Sequence, residues 1–307
     1  MKRLFRLLPL TAISFALASC GGDSKPAAIT SENPSIQTVN YPLAYFAERI
    51  AGEHAEVVFA APADGDPAFW KPSDAELSAF QKADLTLLNG ATYAKWTKTA
   101  SLPGSRTVDT SEAFADKFIT VLEATTHTHG DGEAHAHAGT AFTTWLDFSQ
   151  ARQQARAITD ALSERLPAKT EAFQNNFAAL AADLDKLHAD MQAIAKKIGD
   201  QPLFASHPVY QYWSRAYGLN VVAVHWEPEV VPDAKALEEL IKKSEGHAGL
   251  WMIWEGIPAA QSVAELQHLK IRSVVFDPCG NRPDGDADWL SVMRQNLENL
   301  EALFPAQ

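Results

Sequence analysis

Two periods run through the apolar positions of the chain. Ile36 to Asn40, Glu56 to Ala61 and Ala83 to Asn89 are short apolar runs that predict strands. Between the first two, Leu43, Phe46, Ala47 and Ile50 recur at helical spacing, and Gly52 follows as a stop. Ser73 predicts an N-cap for a helix running to about Lys82. The middle of the chain then changes character. Ser149 to Leu166 predicts one helix, broken before Pro167, and Thr170 to Ile198 predicts a long second one. In that second helix Phe173, Phe177, Leu180, Leu184, Leu187, Met191, Ile194 and Ile198 step by three or four residues, which places them on one face. Gly199 ends it.

After Gly199 the shorter rhythm returns. Strands are predicted at Leu203 to Ser206, Asn220 to Val224, Leu250 to Trp254 and Ser273 to Phe276. Helices are predicted at Tyr210 to Tyr217, Asp233 to Ser244, Ala259 to Leu269 and Asp288 to Leu303. Strands alternating with helices imply parallel sheets. The expected fold is therefore α/β. It has two lobes, each with a mainly parallel sheet and flanking helices, joined by a long connecting helix. The lobes are placed at 36–148 and 200–307, with the connecting helical region at 149–199. In such sheets ligands bind beyond the C-terminal ends of the strands, and a cleft between two lobes is the natural pocket.

The start of the chain follows another logic. Lys2, Arg3 and Arg6 precede a short apolar run from Leu7 to Ala18, then Leu17-Ala18-Ser19-Cys20 and two glycines. A basic start, an apolar stretch too short to span a bilayer and small residues before a cut predict a secretory signal over residues 1–19. The L-A-S-C ending resembles a bacterial lipobox, which makes Cys20 the lipidated first residue and 20–35 a tether. An acyl-anchored, periplasmic or cell-surface protein follows, with no later stretch long enough to cross a membrane.

Charge removes one class of function. With 26 Lys and Arg against 38 Asp and Glu, the net charge is −12, which excludes a chain-wide nucleic-acid binder. Two cysteines in 307 residues exclude a disulfide scaffold, and Cys279 reads as a small packed residue. The segment 126–139 supplies the most conspicuous chemistry. It carries His127, His129, His135 and His137 with Asp131 and Glu133, and lacks apolar periodicity. It reads as a metal-binding loop suited to zinc, copper or nickel.

The order of these features, with Tyr41-Pro42-Leu43, Gly65-Asp66-Pro67, Trp145-Leu146-Asp147, Ser206-His207 and Phe276-Asp277-Pro278, resembles the zinc and manganese substrate-binding lipoproteins of ABC importers. The resemblance covers nearly the whole mature chain. It implies a rigid, monomeric two-lobe receptor that is not an enzyme. Such a receptor holds zinc, with manganese or another divalent metal as alternatives, and passes it to a membrane permease. The family's usual ligands are three histidines and one carboxylate. Here His207 and Asp277 match that set, whereas Ala68 and Thr143 stand where histidines are expected.

Candidate replacement donors are the four loop histidines or His225, which follows a predicted strand; the resemblance implies that such a loop is usually an accessory that acquires or senses metal. Glu255, at another strand end, is expected to hold an imidazole tautomer from outside the coordination sphere. Three alternatives share this sequence. The fold is repurposed for a metal complex or organic cation, favoured by its many tryptophans; it serves as a periplasmic metal buffer or adhesin; or it is a metallohydrolase. The last is disfavoured by the lack of an H-E-x-x-H pair and of a G-x-S-x-G elbow.

Overall fold

The structure is a computed structural model that describes residues 28–121, 139–245 and 251–304, together with the backbone of 126–127 and 135–136. The signal region, Cys20, His129 and His137 lie outside the described residues. Among the described residues no helix is long and apolar enough to cross a membrane.

The N-terminal sheet is built from β1 (Ser35–Thr38), β2 (Glu56–Phe59), β3 (Leu85–Leu88) and β4 (Thr107–Asp109). Its order is β2-β1-β3-β4 and every pairing is parallel. Helix α1 (Tyr41–Ala51) follows β1; Asn40 caps it by accepting from the Leu43 N–H. Helix α2 (Asp74–Lys82) opens at Ser73, the N-cap the sequence predicts, which forms a capping box with Glu76. Asn40 also donates to Asn89 Oδ1 at 3.0 Å, and Asn89 donates to the Phe142 carbonyl at 2.9 Å. This buried amide pair sits where the chain leaves β1 and β3 in opposite directions, and it fixes the segment that carries Thr143.

Two short ladders follow. β5 (Thr120–Val121) pairs antiparallel with β8 (Gly139–Thr140), and β6 (Thr126–His127) with β7 (His135–Ala136), His127 opposite His135. The His-rich segment therefore leaves and re-enters the N-terminal lobe through one narrow stem.

Helix α3 (Phe148–Arg165) is capped by Asp147, which accepts from the N–H groups of Ser149 and Gln150. Helix α4 (Thr170–Ile198) is 29 residues long, about 43 Å at 1.5 Å per residue. All eight of its predicted apolar positions are buried.

The second sheet repeats the first. It comprises β9 (Pro202–Ala205), β10 (Asn220–Ala223), β11 (Trp251–Trp254) and β12 (Arg272–Val275), parallel in the order β10-β9-β11-β12. β9 and β11 are central and buried along their whole length, which is why they read as unbroken apolar runs. Helices α5 (Gln211–Tyr217), α6 (Ala234–Ser244), α7 (Ala260–His268) and α8 (Trp289–Glu301) complete the lobe.

The two lobes share one core. Ile36 and Leu85 of the first sheet, Leu203 and Ile253 of the second and the inner face of α4 belong to a single hydrophobic cluster. Helix α8 crosses back to the N-terminal lobe. Its Trp289 packs edge-on against Phe46 at 5.0 Å and Phe148 at 6.3 Å.

Candidate metal centre

Four parallel strands of the second sheet end in four ionisable side chains. His207 follows β9, Glu227 follows β10, Glu255 follows β11 and Asp277 follows β12. The backbone ladder continues past the strands and sets their heights. Ser206 N–H donates to the Ile253 carbonyl at 2.8 Å, Trp226 N–H to Ser206 at 2.9 Å, and Phe276 N–H to Trp254 at 2.8 Å. β9 and β11 flank the point where strand order reverses, so His207 and Glu255 face the crevice that opens there.

His207 is buried, with 1% of its side chain exposed, and is held between two carboxylates. Its Nδ1 lies 2.9 Å from Glu255 Oε1 and its Nε2 lies 3.3 Å from Glu227 Oε1. Burial pushes the imidazole pKa down, but the hydrogen bonds and charges of Glu227 and Glu255 outweigh it and raise the pKa to about 9. One donor atom from each of these three residues falls within 4.8 Å of the others. Asp277 is also held above the usual carboxylate range by burial and by the nearby Glu255 charge, opposed by the Cys279 N–H, which donates to its Oδ1 at 2.6 Å.

These groups open onto an interlobe cleft of about 250 Å³ walled by His207, Glu255 and Asp277 on one side. Asp66, Tyr93 and Thr143 wall the other. Glu227 is not part of this wall. Among the described residues the N-terminal lobe thus brings no imidazole to the cleft. Ala68 is buried and carries only a methyl group; its N–H donates to Asp66 Oδ1 at 2.8 Å. The Thr143 hydroxyl donates to the Val209 carbonyl. Asp66 is the acid this lobe brings to the cleft. Tyr93 remains a neutral phenol, because burial and the Asp66 charge push its pKa far up.

The two cleft walls are stitched together by the turn after β12. Trp145 Nε1 donates to the Pro278 carbonyl at 2.7 Å and Tyr41 N–H donates to Gly280 at 3.0 Å. Asn281 donates to the carbonyls of Pro62 and Ala63 at 2.8 and 3.0 Å. Asp277 therefore sits on a turn fixed to the opposite lobe. Cys279 in that turn is buried, and burial pushes its thiol pKa well up, so it behaves as the packed residue the sequence implied.

Of the predicted site residues, the structure brings His207, Asp277 and Glu255 together. His225 is exposed and stands outside the cleft wall. The alternation after β10 turns Val224 and Trp226 inward and leaves His225 outward. The side chains of His127 and His135 lie outside the described residues. Glu227 was not singled out from sequence, because its contact with His207 depends on β10 lying beside β9.

An imidazole and several carboxylates converging at the strand ends of a two-lobed α/β molecule form a donor set suited to a divalent cation. The sequence profile of the family described as "Zinc-uptake complex component A periplasmic" (ZnuA) matches residues 36–303, and the chain belongs to that family. It is 25% identical over 318 residues to the high-affinity zinc uptake system protein ZnuA of Bacillus subtilis, covering 98% of this chain and 97% of that one. It is 27% identical over 315 residues to the zinc-binding lipoprotein AdcA of Streptococcus pneumoniae R6, covering 98% of this chain but only 61% of the relative. The crystal structure of the Zn(II)-bound ZnuA-like domain of S. pneumoniae AdcA superposes with a TM-score of 0.73 at 21% identity, over 88% of this chain and 98% of that one. The fold is therefore that of the ZnuA-like solute-binding proteins.

Proposed function

We propose that this protein captures a zinc ion in the interlobe cleft and delivers it to the permease of an ABC importer. The observation that carries this reading is the placement of His207 between Glu227 and Glu255 at the point where strand order reverses. In the proposed site His207 Nδ1, Glu255 and Asp277 bind the cation, and Glu227 holds the ring by accepting its Nε2–H. Glu255 thus moves from an orienting role to a ligand, because it lies on the cleft side of the ring and Glu227 does not. Tetrahedral zinc with bonds of about 2.1 Å needs its donor atoms about 3.4 Å apart. The 2.9 Å separation of Nδ1 and Glu255 Oε1 is short of that by about half an ångström, a side-chain adjustment.

Asp66 closes the site from the N-terminal lobe, directly or through water. The donor set is richer in oxygen than three imidazoles and one carboxylate, which admits manganese as a competitor for zinc. The His-rich segment then serves as an accessory that gathers metal rather than as the site itself. Cys20 carries the lipid that keeps the receptor at the membrane, and Cys20→Ala would move the protein into the soluble fraction. X-ray absorption at the zinc edge of the loaded protein tests the ligand assignment. The expected spectrum has a single imidazole among oxygen ligands. Three imidazoles would place the cargo on the His-rich segment instead.

A further inference from the structure

One polar group on the cleft wall is left over once the ligands are assigned. Tyr93 is 5% exposed, and its hydroxyl is buried with no hydrogen-bond partner among the described residues. The ring itself is well packed. It stands edge-on to Phe142 at 5.3 Å and to Trp145 at 5.8 Å. The hydroxyl reaches the opposite lobe. It lies 3.9 Å from the position a Cβ would take on Gly280, in the turn that carries Asp277. Gly280 and Asp66 line the same cleft as Tyr93, and the Asp66 charge acts on the phenol. A buried donor without an acceptor costs free energy that a phenylalanine would avoid.

The backbone around Tyr93 carries a second cost. Gly90, Ala91 and Thr92 have φ of +72°, +46° and +61°. The Tyr93 N–H closes this left-handed turn by donating to the Gly90 carbonyl at 3.0 Å. Ala94 follows with φ of +51°. Only the first of these four residues is a glycine, and a Cβ disfavours the left-handed region. Such strain gathers where a side chain must be held for a ligand. Here it brackets Tyr93.

We propose that Tyr93 is a positioning residue for the cargo: its hydroxyl donates to a water bound to the cation, and that water donates in turn to Asp66. This rests on the receptor reading above and completes its ligand set. His207 Nδ1, Glu255 and Asp277 supply three donors from one lobe, and a water makes up the four that zinc takes. A metal-bound water has one lone pair left to accept from a phenol and protons to donate to a carboxylate. Tyr93 and Asp66 thus serve the lobe in which Ala68 and Thr143 stand in place of histidines, by holding the water rather than the ion. A small anion suits that place less, because carboxylates already line the cleft.

The test is Tyr93→Phe in the full, metal-stripped chain. Zinc affinity is measured by competition with a chromophoric chelator, and thermal unfolding is followed without metal. The ring contacts stay and only the hydroxyl goes. The metal-free variant is expected to melt at the wild-type temperature or above it, because an unpaired buried donor has been removed. Zinc affinity is expected to fall about 10-fold or more, as for loss of a group that orients a metal ligand. Tyr93→Phe combined with Asp66→Asn should lose less than the product of the two single losses, because both side chains hold one water. Unchanged zinc affinity in Tyr93→Phe overturns the proposal. A lower melting temperature of the metal-free variant also overturns it, by showing the hydroxyl bonded within the fold. Losses that simply multiply in the double variant overturn the shared water. His207→Ala separates this proposal from the receptor reading. Zinc binding lost in His207→Ala yet untouched by Tyr93→Phe defeats only the role of Tyr93. Zinc binding untouched by His207→Ala defeats the cleft reading, and the role of Tyr93 with it.

Discussion

Burial and two carboxylates act on His207 in opposite directions, and the carboxylates win. Its folded-state pKa of about 9 lies above the value of about 6.5 expected in the unfolded chain. A raised pKa means the folded state binds the proton more tightly. The stabilisation from this ion-paired imidazole is therefore fully present below about pH 6.5 and is lost as pH rises through about 9. Denaturant unfolding of the metal-free protein between pH 6 and pH 9.5 should show that decline. Glu227→Gln should flatten it, because one of the two charges that raise the pKa is gone. The same variant should weaken zinc binding about 10- to 100-fold, as expected for loss of the group that orients a metal-bound imidazole. An unchanged pH profile in Glu227→Gln would remove Glu227 from that role. His207 and Asp277 were singled out in the sequence by their match to the family's motifs, each at a predicted strand end. The role of Glu227 was not, because it depends on β10 lying beside β9, a pairing between segments that no local pattern encodes.

At the scale of elements, the long helix was the most legible feature, since eight apolar positions at steps of three and four have only one economical arrangement. Strand β4 was missed. It is three residues long and at the sheet edge, with none of its side chains buried, so it carries no apolar signature. Its neighbourhood nonetheless holds a tight constraint. Gly90, just past β3, has φ of +72°, and a Cβ there would stand 1.9 Å from Ser111 Oγ and 2.4 Å from Asp109 Oδ1. Gly90→Ala should therefore destabilise the protein by more than about 1 kcal/mol, from the left-handed backbone and the forced shift of the β4 end together. It should also disturb the neighbouring Asn89, whose amide fixes the Phe142–Thr143 segment. Thermal unfolding of the variant measures the first effect, and a wild-type melting temperature would show that the Asp109–Ser111 turn yields freely.

The whole molecule is two copies of one sheet order placed around a shared core, with a turn of one lobe hydrogen-bonded into the other. In the proposed site the affinity for zinc comes from side chains already in place, above all from His207. Family membership was legible from spaced motifs, but the weight of the site was not. The loss of two expected histidines at Ala68 and Thr143 drew attention to the His-rich segment, whereas the structure gathers acids around the histidine that remains. Titration calorimetry with zinc decides between them most directly. It should be run on metal-stripped protein without an affinity tag, on His207→Ala and on a deletion of residues 126–139. One tight site is expected in the wild type, retained in the deletion and weakened at least about 100-fold in His207→Ala, as for removal of a ligand. Binding that survives His207→Ala and vanishes with the deletion would contradict this and move the cargo from the cleft to the loop.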